Sequence, residues 1–172
     1  MPTPMFVDDQ PPELDSREFR RVLSHYPTGV CVITTASGGM PAGMAVGTFT
    51  SISLNPPLVG FLPRTGSATL AQIMEAGAFC VNVLGADGER LCQRFSCAEP
   101  HERFTGVPWR PGRGGLPALT DAVAWVDCAV EDTVEIGDHT LVIGRVMHLD
   151  NADQRLDALV FHRGQYFSCA AS

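Results

Sequence analysis

The densest group of side chains with binding chemistry lies in the first half of the chain. Residues 45–58, AVGTFTSISLNPPL, are rich in hydroxyl groups, which belong to Thr48, Thr50, Ser51 and Ser53. Gly43 and Gly47 would let a flat ligand approach the main chain closely. Arg64 and Ser67 follow, and an arginine beside a helix N-terminus can bind an anion. The pattern fits a planar heterocycle that carries a phosphate, but it also fits a Ser/Thr-rich strand that ends at a proline turn with an incidental helix cap.

Sequence motifs for other common chemistries are absent. The chain has no G-x-G-x-x-G, no Walker A motif, no H-E-x-x-H and no G-x-S-x-G. Five histidines are scattered, and His139 is the most interesting because it follows a Gly137–Asp138 turn where a side chain can stay accessible. No group of residues suggests covalent or acid–base catalysis, so we expect a bound cofactor to carry out the difficult step.

The six cysteines contain no C-x-x-C pair, so a structural zinc site has little support and we predict no metal site. An even number of cysteines could form disulfides in an oxidising compartment. Cys31, Cys80 and Cys128 instead lie inside apolar runs, where cysteine behaves as a small buried hydrophobe. We therefore favour free thiols over disulfides.

Composition limits the partners of the protein. The net charge is −7 and no Lys/Arg cluster occurs, which argues against nucleic acid. No apolar run approaches the roughly 20 residues that span a bilayer, and the N-terminus lacks the basic and apolar regions of a signal peptide. We expect a cytoplasmic protein with no membrane partner.

The sequence predicts a flexible tail, 1–13, followed by one domain, 14–172. Three helices are predicted in this domain. The first is capped by Asp15 and carries an apolar stripe of Phe19, Val22 and Leu23. The second is capped by Ser67 or Thr69 and ends at Gly77, and the third is capped by Asp87 and carries Leu91 and Phe95.

Strands account for most of the remaining chain. They are predicted at 30–35, 40–54, 58–62, 79–84, 122–135, 140–149, 158–162 and 165–169. Leu141, Ile143 and Met147 are placed on one face of the strand at 140–149, and 96–121 is predicted to be a long loop or arm. Short strands joined by turns and interrupted by helices favour a mainly β fold, a barrel with helical decoration.

The order of several segments resembles the flavin reductase family, the small reductase partners of two-component flavin monooxygenases. The matching segments are FRRVLSHYPTGVCVITT (19–35), GMAVGTFTSISLNPPLVGFLP (43–63), RTGSATL (64–70), FCVNVLGADGERLCQRFS (79–96), IGDHTLVIGRV (136–146) and VFHRGQYF (160–167). The resemblance implies a split β-barrel of Greek-key type, a homodimer, and an FMN or FAD near the subunit interface that is reduced by NADH or NADPH.

The resemblance also implies roles for individual residues. Pro27 and Thr28 would lie beside the flavin ring, and Phe95 would pack near it. The ring's polar edge would be bound by Ala45, Val46, Gly47, Thr48 and Ser51, the ribityl chain and phosphate by Ser53, Arg64, Ser67 and Thr69, and the nicotinamide by His139 and Tyr166, with His139 positioning it for reaction. Many relatives carry Asn-Ser where this chain has Gly47–Thr48, which leaves the detailed contacts to the ring open.

The expected activity is that of an NAD(P)H:flavin oxidoreductase that supplies reduced flavin to a partner oxygenase. Three alternatives remain: a flavin-binding protein without reductase activity, a related reductase that uses flavin to reduce a corrinoid or ferric chelate, and a structural dimer without a ligand. The sequence does not distinguish FMN from FAD or NADH from NADPH. It also leaves open whether flavin stays bound or diffuses away, and it does not identify the oxygenase.

Overall fold

The structure is a computed structural model that describes residues 13–152 and 157–169. The predicted tail, 1–13, lies outside the described residues except for Glu13. No helix among the described residues is both long enough and apolar enough to cross a membrane.

Three helices and twelve strands form the described chain. The helices are α1 (Ser16–Leu23), α2 (Ala68–Ala76) and α3 (Glu89–Cys97), with short 3₁₀ turns at Ala86–Gly88 and Pro100–Glu102. The strands are β1 (Thr28–Gly29), β2 (Cys31–Ser37), β3 (Met40–Val46), β4 (Thr50–Leu54), β5 (Pro57–Phe61), β6 (Ala78–Leu84), β7 (Trp109–Pro111), β8 (Pro117–Leu119), β9 (Ala122–Ile136), β10 (His139–Asn151), β11 (Ala158–His162) and β12 (Gln165–Cys169).

The main sheet has seven antiparallel strands in the order β3-β2-β6-β9-β10-β5-β4. Its two edge strands, β3 and β4, are consecutive in the chain and are separated only by residues 47–49. A flat sheet of seven strands would be about 29 Å wide, at about 4.8 Å per strand. The four Cα–Cα steps from Val46 to Thr50 reach about 14 Å at most. The sheet must therefore curl until its two edges lie within that distance, and this partial closure gives the predicted split β-barrel.

This closure corrects the prediction of one continuous strand over 40–54. The chain leaves the sheet after Val46 and re-enters it at Thr50 on the opposite edge. Residues 47–49 are the connection between the two edges, hereafter the edge link.

Two apolar clusters lie on opposite sides of the curled sheet, and β2 contributes to both. Ile33 packs in the barrel interior with Phe61, Phe79 and Val142, whereas its neighbour Val32 packs outside with a second cluster. Successive side chains of a strand point to opposite faces, so β2 is buried on both sides. The outer cluster is completed by Leu84, Phe95, Leu119 and Leu159, which belong to β6, α3, β8 and β11.

The outer layer corrects the prediction of a long loop or arm over 96–121. This segment contains the β7–β8 hairpin, and Leu116 to Leu119 are buried against the barrel. The predicted cap of α3 is also wrong: Asp87 lies inside the 3₁₀ turn, and Gly88 is the N-cap. The hairpin covers β2 and β6, which explains how β2 can be apolar on both faces.

The structure shows which face of β10 is buried, a point that the sequence left open. Its buried residues are Thr140, Val142 and Gly144, whereas Leu141 and Ile143 are only half-buried and Met147 is exposed. Gly144 allows the strand to approach the barrel core, because a Cβ there would lie 2.8 Å from Cε1 of Phe79. Both faces of β10 are apolar in sequence, so the alternation pattern alone did not show which face is buried.

Helix α1 begins as predicted but packs differently from the other helices. The Asp15 carboxylate accepts a hydrogen bond from the Arg17 N–H at 2.9 Å, which caps the first turn. Its apolar stripe, however, remains open to solvent: Phe19, Val22 and Leu23 are 54%, 52% and 55% exposed. No residue of α1 is buried, so nothing in the described part of one chain covers this helix.

All six cysteines lie in the described residues and are free thiols. Cys31, Cys80, Cys92 and Cys128 are buried, and burial raises the pKa of Cys31 and of Cys128 to about 12. The thiols of Cys31 and Cys128 therefore stay protonated at neutral pH. The prediction that Cys31, Cys80 and Cys128 are small buried hydrophobes is confirmed.

Candidate functional site

A cavity of about 180 Å³ opens where β3 ends, between the barrel and the small β1-β11-β12 sheet. Five of the predicted site residues meet there: Thr28, Ala45, Val46, Gly47 and Tyr166. Four residues that sequence reasoning missed complete the wall: Val30, Cys92, Ser96 and Phe161. Every residue on the wall is uncharged, so the cavity suits a neutral, largely apolar group.

The pairing of the small sheet explains how distant residues reach this cavity. Thr28 of β1 lies opposite Phe161 of β11, and Phe161 lies opposite Tyr166 of β12. The Phe161 and Tyr166 rings pack with their centroids 5.1 Å apart. One wall of the cavity is therefore a cross-strand row of side chains from both ends of the chain.

The opposite wall is the end of β3, where Gly47 begins the edge link. A Cβ on Gly47 would lie 2.9 Å from Oγ1 of Thr28, so the threonine hydroxyl occupies the space that a side chain would need. The absence of a side chain leaves the main chain at residue 47 exposed beside the cavity. A planar ligand could approach the main chain here, whereas Gly43, the other glycine of the predicted pattern, is buried under Phe95.

Helix α3 forms the floor of the cavity through Cys92 and Ser96, which are one helical turn apart. The Cys92 Sγ and Tyr166 Oη atoms are 3.3 Å apart, within hydrogen-bonding distance for sulfur. Burial, together with this hydrogen bond, raises the pKa of the Tyr166 phenol. Tyr166 is therefore neutral and presents a hydroxyl group, not a phenolate, at the cavity.

A polar corner lies at the far side of the edge link. Oγ1 of Thr48 accepts a hydrogen bond from the Leu62 N–H at 3.0 Å, which ties the link to the segment leading to Arg64. Arg64 pairs with His139 in an isolated antiparallel bridge. The Thr65 N–H donates to the Asp138 carbonyl at 3.1 Å. The structure thus brings together three predicted residues that are far apart in sequence: Thr48, Arg64 and His139.

His139 is held by its neighbour in this corner. Its Nδ1 atom lies 2.8 Å from Oδ1 of Asp138, and 36% of its side chain is exposed. The hydrogen bond to His139 holds the pKa of Asp138 below its ordinary value. The aspartate therefore stays ionised at neutral pH and can fix the ring of His139 while its Nε2 edge remains free of this contact.

Four other predicted residues lie on the surface near these two sites. Pro27 is exposed beside Thr28, Ser51 is exposed on β4, and Ser53 is half-buried on the same strand. Ser67 is the N-cap of α2, and its side chain makes no capping hydrogen bond. Its hydroxyl is therefore available at the helix N-terminus, three residues after Arg64.

Thr69 and Phe95 are each only 1% exposed and support β3 from behind. The Thr69 hydroxyl donates to the Gly43 carbonyl at 3.4 Å, and the Arg103 guanidinium donates to the same carbonyl at 2.8 Å. The Phe95 ring covers the other side, because a Cβ on Gly43 would lie 2.8 Å from its Cε1. These residues fix the strand that forms the cavity wall but do not line the cavity.

The chemistry available at the site is that of binding and orientation. The cavity can hold an uncharged ring against exposed main chain, and the corner at Arg64 and Ser67 can hold an anion. Among residues 13–152 and 157–169, no three His, Cys, Asp or Glu side chains lie close enough together to bind a metal ion.

Comparison with known proteins places these features in a family. Residues 23–170 match the family model described as "Flavin reductase like domain". A flavin reductase of Pseudomonas putida is 45% identical over 159 residues, which are 92% of this chain and 92% of the relative.

Solved structures of related proteins have a similar fold. The nitrilotriacetate monooxygenase component B homolog of Mycobacterium thermoresistibile is 39% identical, with a TM-score of 0.86, over 90% of this chain and 86% of that one. An NADH:FAD oxidoreductase of Streptomyces globisporus, in complex with NAD and FAD fragments, is 32% identical, with a TM-score of 0.84, over 91% and 93% of the two chains.

The bond from Thr48 to Leu62 predicts a specific effect of mutation. Thr48→Val removes the acceptor at nearly constant volume and should lower the free energy of unfolding by about 0.5–1 kcal/mol, the net value of one hydrogen bond. Thr48→Ser, which keeps the hydroxyl, serves as the control. Urea unfolding curves measure both, and equal stabilities of the two variants would show that the bond does not secure the edge link.

Proposed function

This chain belongs to the flavin reductase-like family, and from that membership we propose that it is an NAD(P)H:flavin oxidoreductase. In this proposal a hydride passes from NADH or NADPH to FMN or FAD. The observation that carries the proposal is the pairing of an uncharged cavity with a separate cationic corner, connected by the edge link. A flavin nucleotide has the matching parts, a planar ring system and a phosphate.

The proposed flavin position uses the two sites together. The ring would lie in the cavity against the main chain of Ala45, Val46 and Gly47, with Thr28 beside it. Its phosphate would lie at Arg64 and the free hydroxyl of Ser67. Thr69 would contribute indirectly, since its hydroxyl already binds Gly43. The bound flavin supplies the hydride acceptor.

The protein's contribution to the reaction is orientation and exclusion of water. Hydride transfer between two rings needs no protein nucleophile, and no charged group on the cavity wall would interfere with it. Holding the two rings in contact converts a bimolecular encounter into an intramolecular step. Main-chain groups around Gly47 would stabilise the negative charge that develops on the flavin.

His139 is proposed to position the nicotinamide nucleotide. It lies next to Arg64 and is held by Asp138, so its orientation is set before the nucleotide binds. Tyr166 would contact the nicotinamide side from the cavity. Reduced flavin would then pass to a partner oxygenase, which is consistent with the similarity to a monooxygenase component.

We further propose a homodimer in which α1 contributes to the interface. Its apolar stripe is open in the single chain, and Leu14 and Tyr26 at its two ends are 67% and 75% exposed. An exposed apolar surface of this extent is typical of a protein–protein contact. A symmetric dimer buries the same patch twice.

The activity is tested by following oxidation of NADH and NADPH in the presence of FMN, FAD or riboflavin. We expect oxidation to depend on flavin, and phosphorylated flavins to have a lower KM than riboflavin because of Arg64. A protein that binds flavin but leaves both nicotinamides intact would be a flavin-binding protein. Faster reduction of a ferric chelate or corrinoid than of free flavin would identify the alternative reductase.

The role of His139 is tested by His139→Ala, which should raise the KM for the nicotinamide nucleotide about fivefold to tenfold, since one hydrogen bond is lost. The affinity for flavin should be unchanged. His101→Ala is the control because His101 is exposed and lies outside the site. If both kcat and KM stay at wild-type values, His139 is not part of the nicotinamide site.

The interface is tested by Val22→Glu, which places a charge in the apolar stripe and should weaken dimerisation at least tenfold, because a buried unpaired charge is costly. Ser16→Glu, with the same change in net charge but at the first turn of α1, should leave the dimer intact. Sedimentation equilibrium distinguishes the two. A monomeric wild-type protein, or a fully dimeric Val22→Glu variant, would exclude α1 from the interface.

A further inference from the structure

We propose that Cys92 is a positioning residue for the flavin site: its thiol holds the hydroxyl of Tyr166 against α3 and so keeps the phenol out of the space that the ring needs. This inference rests on the proposed function, because it assumes that flavin occupies the cavity between β3 and α3. It adds a residue of this chain that neither the motif pattern nor the resemblance had singled out.

The first observation is the contact between two distant elements. Cys92 lies on α3 and Tyr166 on β12, 74 residues later, and their Sγ and Oη atoms are 3.3 Å apart. Cys92 is only 5% exposed, yet both residues border the cavity. Among the described residues, the thiol is the one hydrogen-bonding partner found for the tyrosine hydroxyl.

The second observation is the confinement of the tyrosine ring. The Phe161 ring packs against it with centroids 5.1 Å apart and an interplanar angle of 56°. Phe161 thus holds the ring of Tyr166, and α3 holds its hydroxyl. If the hydroxyl left α3, the Tyr166 side chain would turn toward the cavity. The shape of this cavity wall therefore depends on the group that holds the Tyr166 hydroxyl against α3.

The size and chemistry of residue 92 both matter in this arrangement. The side chain must be small enough to leave room for the phenol and polar enough to pair with its hydroxyl. A hydroxyl that is shielded from solvent and has no hydrogen-bonding partner destabilises the folded state. It is therefore expected to move to a position where it can bond to water. Because Tyr166 borders the cavity, a hydroxyl released from α3 would enter it and compete with the ligand.

The thiol is also held in place by its own helix. Oγ of Ser96, one turn further along α3, lies 3.9 Å from Sγ of Cys92, at the limit of a sulfur hydrogen bond. Ser96 lines the same cavity. The Cys92 thiol is therefore placed between a serine hydroxyl and the tyrosine hydroxyl, and we assign it the role of a link between helix and hairpin.

The test measures FMN affinity by fluorescence titration of the full chain for Cys92→Ala, Tyr166→Phe and the double variant. Cys92→Ala should raise the Kd about threefold to tenfold, the effect of one lost hydrogen bond. Tyr166→Phe provides the background in which no hydroxyl remains to be held, and the Cys92 substitution is measured again in that background. The double variant should recover the affinity of Tyr166→Phe, since the two residues act as a pair.

Controls separate this role from simple packing. Cys97→Ala removes an exposed thiol from the same helix and should have no effect. Cys92→Ser keeps a hydrogen-bonding group and should bind within about twofold of wild type. Cys92→Val fills the site with a somewhat larger side chain that cannot hydrogen-bond, and it replaces Cys92→Ala in the cycle if the alanine variant does not fold.

The outcomes distinguish this inference from the proposed function. If wild type binds neither FMN nor FAD, the proposed function fails. If wild type binds FMN but the loss of the thiol leaves the Kd unchanged, the inference is wrong. The inference is also wrong if Cys92→Ala weakens FMN binding as much in the Tyr166→Phe background as in the wild type. In that case the smaller side chain, and not the lost contact with the hydroxyl, would cause the weaker binding.

Discussion

The constraint on which the rest of the structure depends is the three-residue edge link between the two outermost strands of the main sheet. Strands β3 and β4 pair with different neighbours, β2 and β5, yet the chain allows them to separate by only a short distance. The sheet closes for this reason, and the closure leaves the main chain uncovered where β3 ends. The cavity beside Gly47 and the bond from Thr48 to Leu62 both follow from this one connection.

The cavity wall has little freedom because β3 is fixed from behind. The Gly43 carbonyl accepts hydrogen bonds from Thr69 and Arg103, which belong to α2 and to the segment after α3. The Phe95 ring occupies the space above Gly43 and itself packs against Phe104 with centroids 5.1 Å apart. Packed interiors resist deformation, so the main chain presented to a ligand is positioned before binding, which lowers the entropic cost of association.

Local patterns in the sequence were sufficient for much of the fold. The Asp15 cap, the glycine at 77 that ends α2 with a φ of 65°, and the turn at 137–138 each depend on residues adjacent in the chain. The break at the edge link could not be predicted in this way, since Val46 to Thr50 contains good strand formers. It arises from pairing with strands distant in sequence, which periodicity does not reveal.

In the candidate site, too, some residues could be predicted from local sequence and others depend on tertiary contacts. A main-chain role for residues 45–47 was predicted from the glycine pattern and the resemblance, and the structure places these residues on the cavity wall. The sequence placed Thr69 on a helix but did not show that its side chain is buried. The apolar residues Leu70 and Ile73 mark the buried stripe of α2, and Thr69 precedes the first of them. Cys92 and Phe161 were missed because their importance depends on Tyr166 and Thr28, contacts that only tertiary structure creates.

The uncharged cavity and the exposed cation beyond the edge link have different electrostatic surroundings. A net charge of −7 repels any anionic ligand at long range, while Arg64 attracts a phosphate at short range. Added salt screens both effects over a Debye length of about 8 Å at physiological ionic strength. In the proposed binding mode the two contributions offset one another for a phosphorylated ligand, while a ring in the neutral cavity would be insensitive to salt. An acidic protein of this design can retain a nucleotide over a wide range of ionic strength without a basic surface.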